Sequence, residues 1–317
     1  MSLRRPLVLP LMPLWAIGVG VKNLLYERGV LKVRRLGRPV VSVGSLSAGG
    51  AGKTPVVLAL AELLGRHGIG VDVLTRGYGR GPGVVEEVDA AGSAKRFGDE
   101  PIEMARAGLR VFVGTERFEA GALAEATGDA RVHVLDDGFQ HRRLGRALDV
   151  VVLTAEDAHA WLLPAGNLRE PLASLGRADV VVVREDEFAA LAGVVAGREV
   201  WVVGRGLEVP VERPRRPLAF CGIARPEGFF AMLQEAVGRV VFADHHAYTA
   251  EDFERLVEAA RHAGADGFVT TAKDAVKIPT ESMRLLEEVG RVWVAKLKVK
   301  FVDEAMVLQR VRGVLAQ

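Results

Sequence analysis

A single cysteine, Cys221, leaves no partner for an intrachain disulfide and excludes a multi-cysteine metal site. It follows an apolar run, where a small buried residue suffices, and it fits a reducing compartment. Net charge is nearly absent as well. The 42 basic and 40 acidic residues leave +2, too little for a dedicated nucleic-acid binder, so no nucleic-acid partner is expected. Internal repeats and low-complexity tracts are also lacking. What is abundant is apolar residue, 49% against 26% charged, which excludes long disorder. The 317 residues suffice for one large or two modest domains, each with its own core.

The basic residues gather at the N-terminus. Residues 7–21, LVLPLMPLWAIGVGV, are almost wholly apolar and lie among Arg4, Arg5, Lys22, Arg28, Lys32, Arg34 and Arg35, against one acid, Glu27. The run stops at Lys22, short of the roughly 20 residues a spanning helix needs. A secretory signal could be cut near Ala16-Ile17-Gly18, but a nucleotide loop follows closely and ATP is cytosolic. The segment is either a helix docked on the protein or an interfacial helix. We expect the second, with its apolar body among acyl chains and its cations on lipid phosphates.

From residue 36 onward, β-rich runs alternate with helical stretches, the pattern of an α/β fold with parallel strands and crossover helices. Strands are predicted at 40–43, 71–74, 109–113, 132–135, 150–153, 180–183 and 200–203. Helices are predicted to start at Lys53 and near Glu100, Glu116 and Glu185. Residues 204–217, GRGLEVPVERPRRP, have the composition of a linker. Beyond them strands are expected at 218–221, 240–242, 267–270 and 292–297, with helices at 226–237, from the Thr249 cap to about His262, and from about Asp303.

The segment VVSVGSLSAGGAGKTP joins a predicted strand to a predicted helix, the context a phosphate-binding loop requires. Gly49, Gly50 and Gly52 allow a tight wrap, so the N–H groups from Ser47 through Ala48 and Ala51 can converge on phosphate oxygens. The helix N-terminus adds partial positive charge. Lys53 is placed to reach the β/γ-phosphates and the Thr54 hydroxyl to bind Mg²⁺. One departure stands out: Ser47 occupies the place of the first glycine of GxxxxGK[ST]. Downstream, the apolar strand of RVHVLDDGFQHRRL ends in Asp136 and Asp137. Two adjacent carboxylates there are costly unless a cation neutralises them, which makes them candidates for Mg²⁺ or its water shell.

SVGSLSAGGAGKTP, TRGYGR, GDEP, LDDGFQHRRL, LPAGNLREP, DHHAY and TAKDAVK, in this order, resemble the tetraacyldisaccharide 4′-kinases, and the resemblance spans nearly the whole chain. A hydroxyl residue at the position of Ser47 is that family's habit. The resemblance implies two α/β/α P-loop-type domains with mainly parallel sheets, a two-stranded linker and an N-terminal apolar helix. The parts would be 1–36 as the membrane-associating region, 37–203 as the nucleotide domain with 303–317 packed back on it, 204–217 and 292–302 as linker strands, and 218–291 as a smaller domain. It implies ATP and Mg²⁺ as cofactors, a tetraacyldisaccharide 1-phosphate lipid A precursor as acceptor, and the cytoplasmic face of the bacterial inner membrane as location.

Site roles follow from the same resemblance. Asp99, by itself a plausible helix N-cap, becomes the proton acceptor. His245, by itself an ordinary loop histidine, becomes its partner after domain closure. Glu170 falls near the metal and Arg169 beside it can meet phosphate or substrate. Arg117 fits a phosphate-clamping guanidinium of the nucleotide site. Arg76, Tyr78 and Arg80 follow a strand's carboxyl end and are candidates for the acceptor's sugar or 1-phosphate. Lys273 and Asp274 approach the guanine-reading [NT]KxD pattern but out of register, and stay open between structural and cleft-lining roles. The alternative is a membrane-associated partitioning ATPase, which would carry a lysine where this chain has Ala48. A GTP-dependent metallochaperone would need a guanine motif and metal-ligand clusters, and neither is found. A nucleotide-sensing membrane adaptor would bind ATP without an acceptor.

Overall fold

The computed structural model describes residues 5–78, 80, 83–208 and 212–316. Arg4 and residues 209–211 of the expected linker lie outside this set. The strands are β1 (Val40–Ser45), β2 (Val71–Thr75), β3 (Glu86–Glu87), β4 (Arg110–Val113), β5 (Val132–Asp136), β6 (Leu148–Leu153), β7 (Val180–Arg184), β8 (Glu199–Glu208), β9 (Pro217–Cys221), β10 (Gly238–Val241), β11 (Gly267–Thr271) and β12 (Arg291–Phe301). They run in the order β10-β9-β11-β12-β8-β7-β6-β1-β5-β2-β4-β3. Among the described strands, only the β3–β4 and β8–β12 pairs are antiparallel. The fold is mixed, mostly parallel α/β.

β12 changes partner along its length. Arg291 to Ala295 pair parallel with β11, and Lys296 to Phe301 pair antiparallel with β8. β8 does likewise, lying parallel to β7 through Val203 before turning to β12. These two long strands join a nucleotide-loop group, β1–β7, to a second group, β9–β11. Alternation sets the layers. On β9, Leu218 and Phe220 enter one buried cluster, while Ala219 and Cys221 enter the other. On β1, Val41 and Val43 face the largest cluster, which also holds Val57, Leu60 and Leu64 of the helix Lys53–Arg66. The closing helix Glu304–Leu315 is capped by Asp303, whose Oδ1 accepts from the Met306 N–H at 2.9 Å. It contributes Val307, Val311 and Val314 to that cluster. Each such side chain is worth roughly 1.5–3 kcal/mol when fully buried, so the last helix is anchored on the first group of strands.

Every strand expected from the sequence is present within a few residues, and the Thr249 cap is a full capping box with Asp252. The misses are short elements. β3 has only two residues, and the helices Ala94–Phe97, Ala272–Ala275 and Thr280–Glu287 carry too few turns to show a period. The helix expected over 226–237 stops at Phe230, where Phe229, Phe230 and Leu233 are all buried and the chain turns over the sheet. Residues 204–208, of linker composition, are the second half of β8, with Gly204 and Gly206 in its antiparallel ladder with β12.

At the N-terminus a 3₁₀ turn, Pro6–Leu11, leads into the helix Met12–Glu27. Together they make 22 residues containing an 18-residue stretch of mean hydropathy 1.5, long and apolar enough by length and composition to cross a membrane. The helical segment thus exceeds the apolar run marked in the sequence. Its last turns hold Lys22, Asn23 and Glu27, and these are bound to the protein: the Lys22 ammonium donates to the Gln140 carbonyl at 3.1 Å, and Glu27 pairs with Arg142 at 3.6 Å. Met12, Ala16, Val19, Asn23 and Tyr26 form a half-buried stripe, while Leu14, Ile17, Val21 and Leu24 on the other side stay exposed. The helix therefore docks by one stripe and offers another to its surroundings.

Candidate active site

The carboxyl ends of the parallel strands form one edge, the place where open α/β sheets bind ligands. At the end of β1, a Cβ on Gly44 would lie 2.5 Å from the Phe139 Cβ, so only glycine lets this strand pack against the turn after β5. That contact fixes the phosphate loop relative to Asp136 and Asp137. In the loop, Gly49, Gly50 and Gly52 have φ of +83°, +69° and +85°, values that favour glycine. Gly52 caps the helix Lys53–Arg66, and Thr54 lies in its first turn. Ser47 is not among the positive-φ residues; its backbone bridges to Leu168, and the Ala48 N–H donates to the Asn167 carbonyl at 2.8 Å. An ordinary residue therefore fits where the common motif has glycine.

Lys53 Nζ lies 3.4 Å from Ser45 Oγ and 3.4 Å from Asp137 Oδ1. Arg169 grips Asp137 with two bonds, at 2.7 and 2.8 Å, and also donates to the Ser45 carbonyl at 3.2 Å. Burial raises the Asp137 carboxyl, but Lys53 and Arg169 outweigh it and hold it well below the usual carboxylate range. Asp137 has φ of +50°, a left-handed conformation costing about 1 kcal/mol that such contacts can sustain. Asp136 is different. Its Oδ2 accepts from the Thr75 hydroxyl at 3.2 Å, while its buried Oδ1 has no hydrogen-bond partner among the described residues. Burial first, then the charges of Glu100 and Asp137, push its carboxyl up to about 7. An orphaned, buried carboxylate oxygen beside a phosphate loop fits a divalent cation.

Asp99 begins the helix Asp99–Arg106, whose N-cap is Gly98; the capping role open to Asp99 in the sequence is thus taken by another residue. Its Oδ2 lies 3.0 Å from His245 Nδ1 and 3.9 Å from Lys277 Nζ. Burial raises its carboxyl, but the bond with His245 and the charges of Lys273, His245 and Lys277 outweigh burial and hold it below its ordinary value. His245 has φ of +58° and packs its ring on Tyr78, centroids 4.9 Å apart. The neighbouring Asp244 lies by the phosphate loop: a Cβ on Gly49 would be 4.0 Å from its Oδ2. The ends of β9 and β10 thus meet the ends of β1 and the GDEP turn.

The remaining candidates divide. Arg117 is buried, donates to the Thr115 carbonyl at 2.7 Å and keeps its Nε without a partner among the described residues. Burial and the charge of Arg76 lower its basicity, a situation an anionic phosphate would relieve. Arg76 and Tyr78 are exposed at the edge. Arg80 corrects the sequence expectation of an acceptor contact. Its guanidinium folds back on the Gly83 and Val84 carbonyls, both at 3.1 Å, and pairs with Glu86, closing its own loop. Glu170 is buried with both oxygens engaged, by Gln140 at 3.1 Å on one side and by Asn23 at 2.9 Å and Arg177 at 2.6 Å on the other. Burial raises its carboxyl, but Arg177 and these donors outweigh it and keep it below the usual range. Its visible work is to tie the N-terminal helix to the site.

Several residues were not marked as candidates in the sequence. Arg225 lies over Gly50, whose Cβ would meet its side chain at 2.9 Å, and its guanidinium bonds Thr154 and Asp157 and pairs with Glu156. His141, in GFQHRRL, is held down to about 4 by burial and by Arg117, Arg146 and Arg143, so it is a neutral imidazole. Trp15 of the first helix donates to the Arg169 carbonyl at 3.0 Å. Side-chain partners of this kind come from distant chain segments, which spacing along one sequence does not display.

A glycine-built phosphate loop, a lysine and threonine at its helix, and buried acids at the next strand's end define a P-loop phosphotransferase. The family described as Tetraacyldisaccharide-1-P 4′-kinase matches residues 4–316, and the chain belongs to it. A Tetraacyldisaccharide 4′-kinase of Koribacter versatilis is 42% identical, over 95% of this chain and 97% of its own length. That of Geobacter metallireducens is 40% identical, over 91% and 92%. The crystal structure of LpxK from Aquifex aeolicus in complex with ATP superposes with a TM-score of 0.80 at 31% identity, covering 97% of this chain and 98% of that one.

Proposed function

We infer that the chain transfers the γ-phosphoryl group of ATP to the 4′-hydroxyl of a tetraacyldisaccharide 1-phosphate, a step of lipid A biosynthesis. The observation that carries it is the meeting of Asp99 and His245 at 3.0 Å, from opposite groups of strands, beside a phosphate loop. The loop amides and Lys53 hold the donor's phosphates. Asp99, kept ionised, accepts the proton of the acceptor hydroxyl as its oxygen bonds to the γ-phosphorus and the bond to the β–γ bridging oxygen breaks. Arg117 and Arg169 offset charge at the phosphoryl group. Arg76 and Tyr78 sit where the acceptor's sugar or 1-phosphate would lie. Thr54, Asp136 and Asp137 would hold Mg²⁺, with Glu170 positioning the surrounding turn; the ion supplies charge neutralisation to the phosphates when bound. In detergent micelles with Mg-ATP and tetraacyldisaccharide 1-phosphate, we expect phosphate transfer to the lipid. ATP binding without transfer would overturn the assignment.

The same reading places the protein at the cytoplasmic face of the inner membrane, where ATP and a lipid acceptor are both available. Its N-terminal helix presents Leu14, Ile17 and Val21, exposed by 65%, 62% and 51%, on the side away from the protein. Not every flanking cation is free to meet lipid: Lys22 is bonded to Gln140, and Arg34 pairs with Glu119 and covers the Phe118 ring. Leu14→Ser, Ile17→Ser and Val21→Ser together should reduce partitioning to anionic liposomes by at least about tenfold, since each buried apolar side chain contributes roughly 1.5–3 kcal/mol. ATP affinity in solution should stay unchanged. Flotation with liposomes checks it, and equal partitioning of variant and wild type would return the helix to a purely docking role.

A further inference from the structure

The TAKDAVK segment, left open by the sequence, sits at the heart of the site. Thr271 ends β11 and caps the short helix Ala272–Ala275, accepting from the Asp274 N–H. Asp274 is fully buried; its Oδ2 accepts from the Gly222 N–H at 2.9 Å and from the Thr271 hydroxyl at 2.7 Å. This fixed turn projects Lys273 across the cleft. Its ammonium lies 3.2 Å from Glu100 Oε1, 3.1 Å from His245 Nε2 and 3.8 Å from Asp244 Oδ1.

An ammonium has three hydrogens and no lone pair, so it can only donate. A ring nitrogen 3.1 Å away is bonded to it only if that nitrogen carries a lone pair. His245 Nε2 is therefore unprotonated, and the ring's one hydrogen sits on Nδ1, aimed at Asp99 Oδ2 at 3.0 Å. An imidazolium would set an N–H against the ammonium. We propose that Lys273 is a positioning residue which fixes the Nδ1–H tautomer of neutral His245, so that Asp99 stays an anionic proton acceptor with the ring hydrogen on Oδ2 and the Glu100 N–H on Oδ1. The proposal rests on the Asp99–His245 reading above. Because Lys273 also binds Glu100 on the opposite group of strands, the tautomer is set where the two groups meet, and base activation is coupled to that contact.

Charges around the pair are consistent with a fixed ammonium. Burial lowers the basicity of Lys273, but Glu100, Asp99 and Asp244 outweigh it and hold it above its ordinary value. The other groups facing the pair are Lys277, paired with Asp274 at 3.0 Å, and Glu103, whose carboxyl is pushed up to about 7 by burial and then Glu100. Removing the Lys273 ammonium takes away the donor to His245 Nε2 and one of the charges that hold the Asp99 carboxyl down, so that carboxyl should rise.

The test combines spectroscopy and kinetics. In ¹⁵N spectra of the histidine-labelled full chain, with His245 assigned by loss of its signals in His245→Gln, a protonated Nδ1 and unprotonated Nε2 are expected at neutral pH. Lys273→Met should lower kcat about 10- to 100-fold and move the acidic limb of kcat/KM upward by about one pH unit, with KM for Mg-ATP little changed. Lys273→Arg should restore the limb. An Nε2–H tautomer in the wild type, or a Lys273→Met profile parallel to the wild type's, overturns the proposal. If Lys273→Met does not fold, the wild-type spectrum still decides. Full turnover in Asp99→Asn would instead sink the underlying reading and leave the tautomer assignment standing.

Discussion

Asp99→Asn is expected to lower kcat by about 100- to 10,000-fold while leaving KM for Mg-ATP nearly unchanged. Asparagine keeps the shape, and its carbonyl oxygen can still accept the His245 Nδ1 hydrogen. What it loses is the ability to take a proton. Gly98 rather than Asp99 is the N-cap of the following helix, so a capping loss does not explain such an effect. His245→Gln should fall on the same path. The double variant should then be little worse than Asp99→Asn alone, because two residues acting as a unit are not additive. Steady-state lipid phosphorylation measures both. Turnover within about threefold of wild type would remove Asp99 from the reaction.

Much of this site was legible because its residues sit in runs that are local in the chain. The loop through Lys53 and Thr54, the strand ending at Asp136 and Asp137, and the GDEP turn each announce a strand's carboxyl end or a helix start. Ser47 shows how a local departure can be understood only in three dimensions. Its backbone lies against Leu168, more than a hundred residues on, and needs no positive φ. Arg80 shows the opposite failure. TRGYGR looked like one ligand-facing group, but the last arginine is spent on Gly83, Val84 and Glu86. Lys273 stayed open between structural and cleft-lining roles, and Arg225 went unmarked, for a third reason. Glu100, and the Thr154 and Asp157 partners of Arg225, belong to the other group of strands, and no period or spacing encodes which loop meets which across a cleft. The short helices were missed because four residues, or eight in Thr280–Glu287, show too little of a helical period.

Asp136→Asn is expected to move stability and activity in opposite directions. Folding pushes the Asp136 carboxyl up to about 7, above an unfolded value near 4. The folded state therefore binds this proton more tightly than the unfolded state does. Stability from this group is intact at low pH and declines as pH rises from about 4 toward 7, and the full cost of the buried charge is present above 7. Asparagine cannot ionise, and its side-chain oxygen can still accept from the Thr75 hydroxyl. The metal-free variant should then be more stable than wild type by about 1–3 kcal/mol at pH 8, with the difference from this group vanishing near pH 4. With Mg-ATP the order should reverse. The wild type's orphaned Oδ1 then has the cation it lacks, whereas a neutral amide binds one poorly, and turnover should fall about 1,000-fold. Calorimetric unfolding across pH, with and without Mg-ATP, measures the first effect, and the lipid assay measures the second. A variant less stable than wild type at pH 8 without metal, or one that keeps more than about a tenth of the turnover, would contradict a buried carboxylate held in reserve for a cation.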